Sequence, residues 1–150
     1  MKLLRLLLLL IHVFVGLGAL AGGYACLVDP VTPLGATTDM LQGSPFSTFL
    51  IPGIVLFGLF GVGNLVSIIL LSKQNKYLGY VAGLLGGSMI VWIIVQVLII
   101  KTVVFLHVLF FTIGAIQGLI SLFFLYKEGL FPWNLIKGKS HDKCKRHIAD

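Results

Sequence analysis

Charge is scarce in this chain. Only 11% of its 150 residues are charged, against about 25% in an ordinary soluble domain. Eleven basic and five acidic side chains cannot solvate a globule of this length, which excludes a water-soluble fold. Disorder is excluded by the opposite excess, 58% hydrophobic residues and a mean hydropathy of +1.06, because disordered chains are polar. Cysteine is nearly absent as well. Cys26 and Cys144 are too few for a disulfide scaffold and form no C-x-x-C pair, so neither that class nor a thiol oxidase is available. Glycine-rich phosphate loops, zinc-protease helices and nucleophile elbows are missing too. The expectation is an all-α polytopic membrane protein that is not an enzyme and carries no cofactor or bound metal.

What is present is apolar sequence of spanning length. A helix needs about 20 apolar residues to cross the hydrocarbon core. The charge-free stretches give spans at about 6–28, 49–72, 78–100 and 103–126, with an outer loop at 29–48 and a basic juxtamembrane tail at 127–150. Lys101 and Thr102 divide what would otherwise be one helix far too long for a single crossing. Together the spans predict a bundle of four transmembrane helices.

Ten of the eleven basic residues fall on one side of this map: Lys2, Arg5, Lys73, Lys76, Lys127 and the tail cluster. The other side holds Lys101, with Asp29 and Asp39. Basic residues are retained on the cytoplasmic face, so both termini are expected there, in a multi-pass protein of the cell (inner) membrane. The net charge of +6 then reflects topology and attraction to anionic lipid headgroups, not nucleic-acid binding. Tyr77, Tyr80, Tyr126 and Trp133 at the cytoplasmic boundaries, and Tyr24 at the outer one, suit the headgroup level. The first span has a rival reading as a secretory signal cleaved before Cys26, although its length exceeds that of a usual signal core.

In the outer loop, Asp29-Pro30 and Thr32-Pro33 oppose helix. Thr38 to Gln42 is expected to form one turn capped by Thr38 or Asp39, and Ser44-Pro45 to start the second span, with a kink at Pro52-Gly53. The run Ser44-Pro45-Phe46-Ser47-Thr48-Phe49-Leu50-Ile51-Pro52-Gly53 resembles a segment of small four-span bacterial membrane proteins of no assigned activity. Asp29-Pro30 and Trp92-Ile93-Ile94-Val95-Gln96 are similar to other recurrent pieces of that family, and the likeness covers roughly half of the chain. It implies a bacterial inner-membrane protein and brings no assigned activity with it.

Small residues four apart let helices approach closely in a bilayer. Gly18 with Gly22, Ala19 with Gly23, the series Gly79, Gly83 and Gly87 flanked by Ala82 and Gly86, and Gly114 with Gly118 are the expected contact stripes. They serve packing within the bundle or between copies.

Polar residues inside the spans are the candidate site, since such groups turn inward unless paired. His12, Asn64 and Gln117 lie at similar depth, roughly 9–14 Å from the cytoplasmic end, with Ser67 and Ser121 a turn closer. A second pair, Gln96 and His107, sits near the outer end and reads first as a brace across the turn at Lys101 and second as an outer vestibule. The three-residue layer reads first as an interhelical hydrogen-bond clamp and second as a path for protons or small solutes. Separation in depth weighs against a haem held by both His12 and His107. The absence of acidic or basic residues within the spans weighs against an ion-coupled pump. Phe131, Trp133, Leu135 and Ile136 are expected at the interface, and His141, Cys144 and His147 share a helical face that offers three metal ligands in a tail more suited to lipid tethering. The expected function is a structural or accessory membrane component, with a homo-oligomer or a membrane-protein partner. The alternative is a small oligomeric transporter or channel built on His12, Asn64 and Gln117.

Overall fold

The computed structural model describes residues 2–73 and 77–130, so the tail residues from Phe131 onward, with their possible metal ligands, lie outside the described residues. Among the described residues four helices are long and apolar enough to cross a membrane, and there is no strand. They are α1 (Lys2–Val28), α2 (Leu50–Ser72), α3 (Leu78–Ile100) and α4 (Phe105–Lys127). Both ends of the described chain, the last turn of α2 and the first turn of α3 lie at one end of the bundle, here the terminal end. The 29–48 segment and the Lys101 turn lie at the other, the loop end.

Leucine-rich sequence favours helix, and the breaks fall where that composition fails. α3 stops at Lys101, a non-glycine residue in the left-handed region (φ 55°) whose N–H closes back on the Val97 carbonyl. α4 then starts at Phe105, later than the apolar pattern alone places it. Val104 is extended, and the ring of His107 accepts the Val104 N–H at 3.3 Å while the His107 N–H donates to the Val104 carbonyl. His107 thus takes the part that Glu or Gln plays in a capping box.

α2 and the segment before it correct three expectations. The α2 helix begins at Leu50, not at Ser44-Pro45, because the Ser44 hydroxyl accepts the Phe46 N–H and makes a local turn instead. Pro52 falls in the first turn, where its missing N–H breaks no bond, and the irregularity comes later, as a π-helical stretch from Leu56 to Val62. The 3-10 turn at Thr38–Leu41 also lacks the anticipated cap: Thr37 precedes it and neither Thr38 nor Asp39 caps it by side chain.

The helices pack as two tight antiparallel pairs, α1 with α2 and α3 with α4, joined by α2 against α3 and α1 against α4. Glycines make the pairs tight. A Cβ on Gly23 would lie 2.6 Å from the Phe57 backbone nitrogen, and Gly53 abuts the Cβ of Cys26. Gly86 and Gly114 face each other, a Cβ on either falling 2.8–3.0 Å from the other's carbonyl oxygen. The α3 stripe therefore runs Gly79, Gly83, Gly86, and Gly87 points into open space, as do Gly18 and Gly118. Ring contacts join the pairs: Phe14 with Phe110 at 6.1 Å and Phe60 with Trp92 at 6.0 Å.

Two apolar clusters form the core. Leu8, Leu71, Leu78, Ala82, Ile120 and Phe124 fill the terminal half, and Val15, Ala19, Phe60, Met89 and Ile93 the loop half. The 29–48 segment is closed at its base by the Phe49 N–H on the Pro30 carbonyl at 2.8 Å. Its two 3-10 turns rest on α1 and α3, with Leu41 buried.

Candidate functional site

The polar layer lies between the two apolar clusters. One helical turn from Leu8, Leu71 and Ile120 come His12, Ser67 and Gln117, on three different helices. All three are fully buried, as is Asn64. Their bonding follows from what each atom can do. Asn64 Nδ2 donates to the Phe60 carbonyl at 2.5 Å, inside the π-helical stretch, which leaves Oδ1 as an acceptor. His12 must therefore donate from Nδ1, at 2.6 Å, and its neutral ring keeps an unprotonated Nε2. Wide turns of this kind recur at functional sites. Here one carbonyl within the wide turn is met by a side chain that also holds α1.

Gln117 goes elsewhere. Its Nε2 donates to the Ala82 carbonyl on α3 at 3.0 Å, and one turn nearer the terminal end the Ser121 hydroxyl donates to the Gly79 carbonyl. Small residues on α3 expose those carbonyls to α4. The structure thus joins His12 to Asn64 and uses Gln117 and Ser121 to fasten α4 to α3.

Three atoms in the layer have no hydrogen-bond partner among the described residues: His12 Nε2, Ser67 Oγ and Gln117 Oε1. Two are pure acceptors and the third is a hydroxyl. A small group with two N–H or O–H donors, such as water, complements that set. No carboxylic acid or thiolate accompanies them among the described residues, and the set can hold a polar solute and orient it. The sequence places Ser67 a turn closer to the terminal end than His12, Asn64 and Gln117.

Gln96 and His107 do not bond to one another. His107 Nδ1 is taken by the Val104 N–H, and Gln96 makes no side-chain hydrogen bond among the described residues. Both instead line a cavity of about 230 Å³ in the loop half, walled by Ala19, Phe60, Met89, Trp92 and Phe110. An outer vestibule is the second reading of this pair from the sequence, and the walls of the space come from all four helices.

At the loop end Asp29 accepts the Thr32 hydroxyl at 2.6 Å and the backbone N–H groups of Thr32 and Val31. These bonds, the Thr32 hydroxyl foremost, hold its carboxyl below the ordinary aspartate range. No protein-family model matches the chain, and neither the curated proteins nor the solved structures provide a match.

Proposed function

We propose that this chain is a non-enzymatic integral membrane component that holds another transmembrane helix, from a partner protein or a second copy, against its α2–α3 face. A groove there is floored by Gly83 and Gly87 and edged by Leu59, Leu84, Val91 and Trp92. The observation that carries the reading is Gly87. Gly79, Gly83 and Gly86 are each filled by an α4 neighbour, whereas Gly87 meets nothing within 4 Å. A bare glycine on an open groove is the surface on which bilayer helices approach one another. Tethering at the surface suits such a role, and the basic tail against anionic lipid provides it.

The proposed setting is the bacterial inner membrane with both termini cytoplasmic, supported by the one-sided distribution of Lys and Arg. Crosslinking in native membranes through a Gly87→Cys variant tests the function. A defined adduct, to self or to another membrane protein, is expected; recovery of monomer alone, without partners, removes the proposal.

The second reading, a small transporter or channel, draws on the three unpartnered atoms of the polar layer. Solute flux in proteoliposomes that disappears when His12, Asn64 and Gln117 are all changed to alanine would favour it. Flux unaffected by the triple change rejects that site.

A further inference from the structure

We propose that the loop-half cavity binds a neutral single-ring compound of the phenol class, with its hydroxyl held at Gln96 and His107. The site is independent of the helix-docking groove, which lies on the α2–α3 face. Exposure sets the way in. Of the residues lining the cavity, Gly18, Val104 and Leu106 are exposed, while the rest are half-buried or buried. Gly18 is on α1, Leu106 is on α4 and Val104 immediately precedes α4. The mouth therefore opens sideways between these two helices, toward where lipid chains lie, and admits a lipid-soluble compound.

Charge and size narrow the class. No Asp, Glu, Lys or Arg lines the cavity, and an ionised group carried into an apolar space without a partner is strongly disfavoured. The occupant is therefore neutral. An apolar cavity of about 150 Å³ takes a benzene ring. At about 230 Å³ this one has room for a ring with small substituents, and not for a fused tetracycle. The rings of Phe60, Trp92 and Phe110 and the Met89 thioether form walls suited to an aromatic face or edge.

The polar pair calls for the hydroxyl. His107 is only 7% exposed, and its Nδ1 accepts the Val104 N–H. The neutral ring thus carries its proton on Nε2, a donor with no acceptor among the described residues. Gln96 and His107 line the same cavity. His107 also sits against the α3 turn that carries Gln96, since it shares a shallow outer groove with Ile93, Ile94 and Val97. A hydroxyl between the two side chains accepts the His107 N–H and donates to the Gln96 amide oxygen, a pairing that a hydrocarbon cannot make. It also relieves the cost of a buried N–H left without an acceptor.

The test uses the full chain in nanodiscs and a diazirine-bearing alkylphenol, with the labelled residues mapped by mass spectrometry. Labelling is expected at cavity-lining residues of α1, α3 or α4. At equal mole fraction in the bilayer, para-butylphenol should displace it about five- to tenfold better than butylbenzene, the worth of one neutral hydrogen bond. Cholesterol, a fused tetracyclic alcohol, should not displace it. Gly18 has room for a side chain and sits at the mouth, so Gly18→Leu is expected to reduce labelling to background. Leu106→Trp, at an exposed position, is the independent blocking variant should Gly18→Leu fail to fold. Gln96→Leu is expected to narrow the gap between the phenol and butylbenzene while labelling persists. In the unaltered protein the phenol, and not butylbenzene, should shift the nitrogen-15 resonance of His107 Nε2. Unchanged labelling in a folded blocking variant overturns the site, and displacement by cholesterol equal to that by the phenol overturns the single ring. Equal displacement by phenol and butylbenzene, a gap that Gln96→Leu leaves unchanged, or a His107 resonance that does not respond overturns the hydroxyl contact.

Discussion

At the scale of single residues, the hydrogen bond between His12 and Asn64 links α1 to α2, and Asn64 also satisfies the Phe60 carbonyl. Replacing Asn64 by Leu leaves a buried imidazole N–H and a carbonyl unmet. Such losses cost about 1–3 kcal/mol each in general, although interhelical hydrogen bonds in bilayers run nearer 0.6–2 kcal/mol. The expected outcome for Asn64→Leu is a loss of about 1–3 kcal/mol in reversible denaturant unfolding. Pairing it with His12→Leu should recover part of that loss, because the double variant no longer buries an unmet imidazole. Strict additivity in this cycle would show that the two side chains do not act together. Asp29 gives a pH dependence of definite sign. Its folded-state carboxyl titrates below the ordinary aspartate range, so its contribution is fully present above that range and is lost as pH falls through the depressed value. Protection of the Val31 and Thr32 amides from hydrogen exchange should hold at neutral pH and fail in acid. Asp29→Asn should flatten the response, and a variant that kept it would place the titration elsewhere.

At the scale of elements, the close approaches of the glycines separate positions that look alike in sequence. Gly23 and Gly18 both lie on α1, yet a side chain on Gly23 would meet the Phe57 backbone while one on Gly18 meets nothing. Gly23→Ala is expected to destabilise by about 1–3 kcal/mol, the usual effect of overpacking against groups that cannot yield. Gly18→Ala should be neutral or better, since alanine suits a helix. Thermal unfolding in one detergent decides it, and equal melting points would refute the α1–α2 register. This contrast also marks how far the sequence could be read. Spans were legible because apolar length and flanking lysines follow directly from the bilayer. Spacing could name the α3 stripe but could not choose Gly86 over Gly87, as a 3.6-residue period alternates steps of three and four. The π-helical stretch at Leu56–Val62 has no signature in its composition. Ser44-Pro45 carries a cap signature that the chain uses for a local turn with Phe46. For the candidate site, burial of His12, Asn64 and Gln117 was inferable from their polarity in apolar spans. The Ala82 carbonyl as Gln117's partner was not, because backbone acceptors leave no trace in a side-chain pattern.

At the scale of the whole molecule, the polar layer is closed off from both ends. Residues from every helix contribute to the apolar cluster in the terminal half, and those in the loop half come from α1, α2 and α3, with Phe110 and Ile113 of α4 packed against them. Any hydrophilic reagent that reaches the layer must cross one of them, whichever direction it comes from. The side cavity does not bypass this barrier, because it lies among Val15, Phe60 and Met89 of the loop-half cluster. This has a consequence for thiol chemistry in a chain with Cys26 and Cys144 changed to Ser. A cysteine at Ser67 should remain unmodified by a membrane-impermeant thiol reagent added to either face of sealed vesicles, yet react once the protein is denatured. A cysteine at Lys73 should react from one face and a cysteine at Lys101 from the other. Rapid labelling at Ser67 in the native state would mean that water reaches the layer, which favours the transport reading over the docking one. Labelling of positions 73 and 101 from the same face would remove the four-span topology itself, and with it the assignment of His12, Ser67 and Gln117 to a common depth.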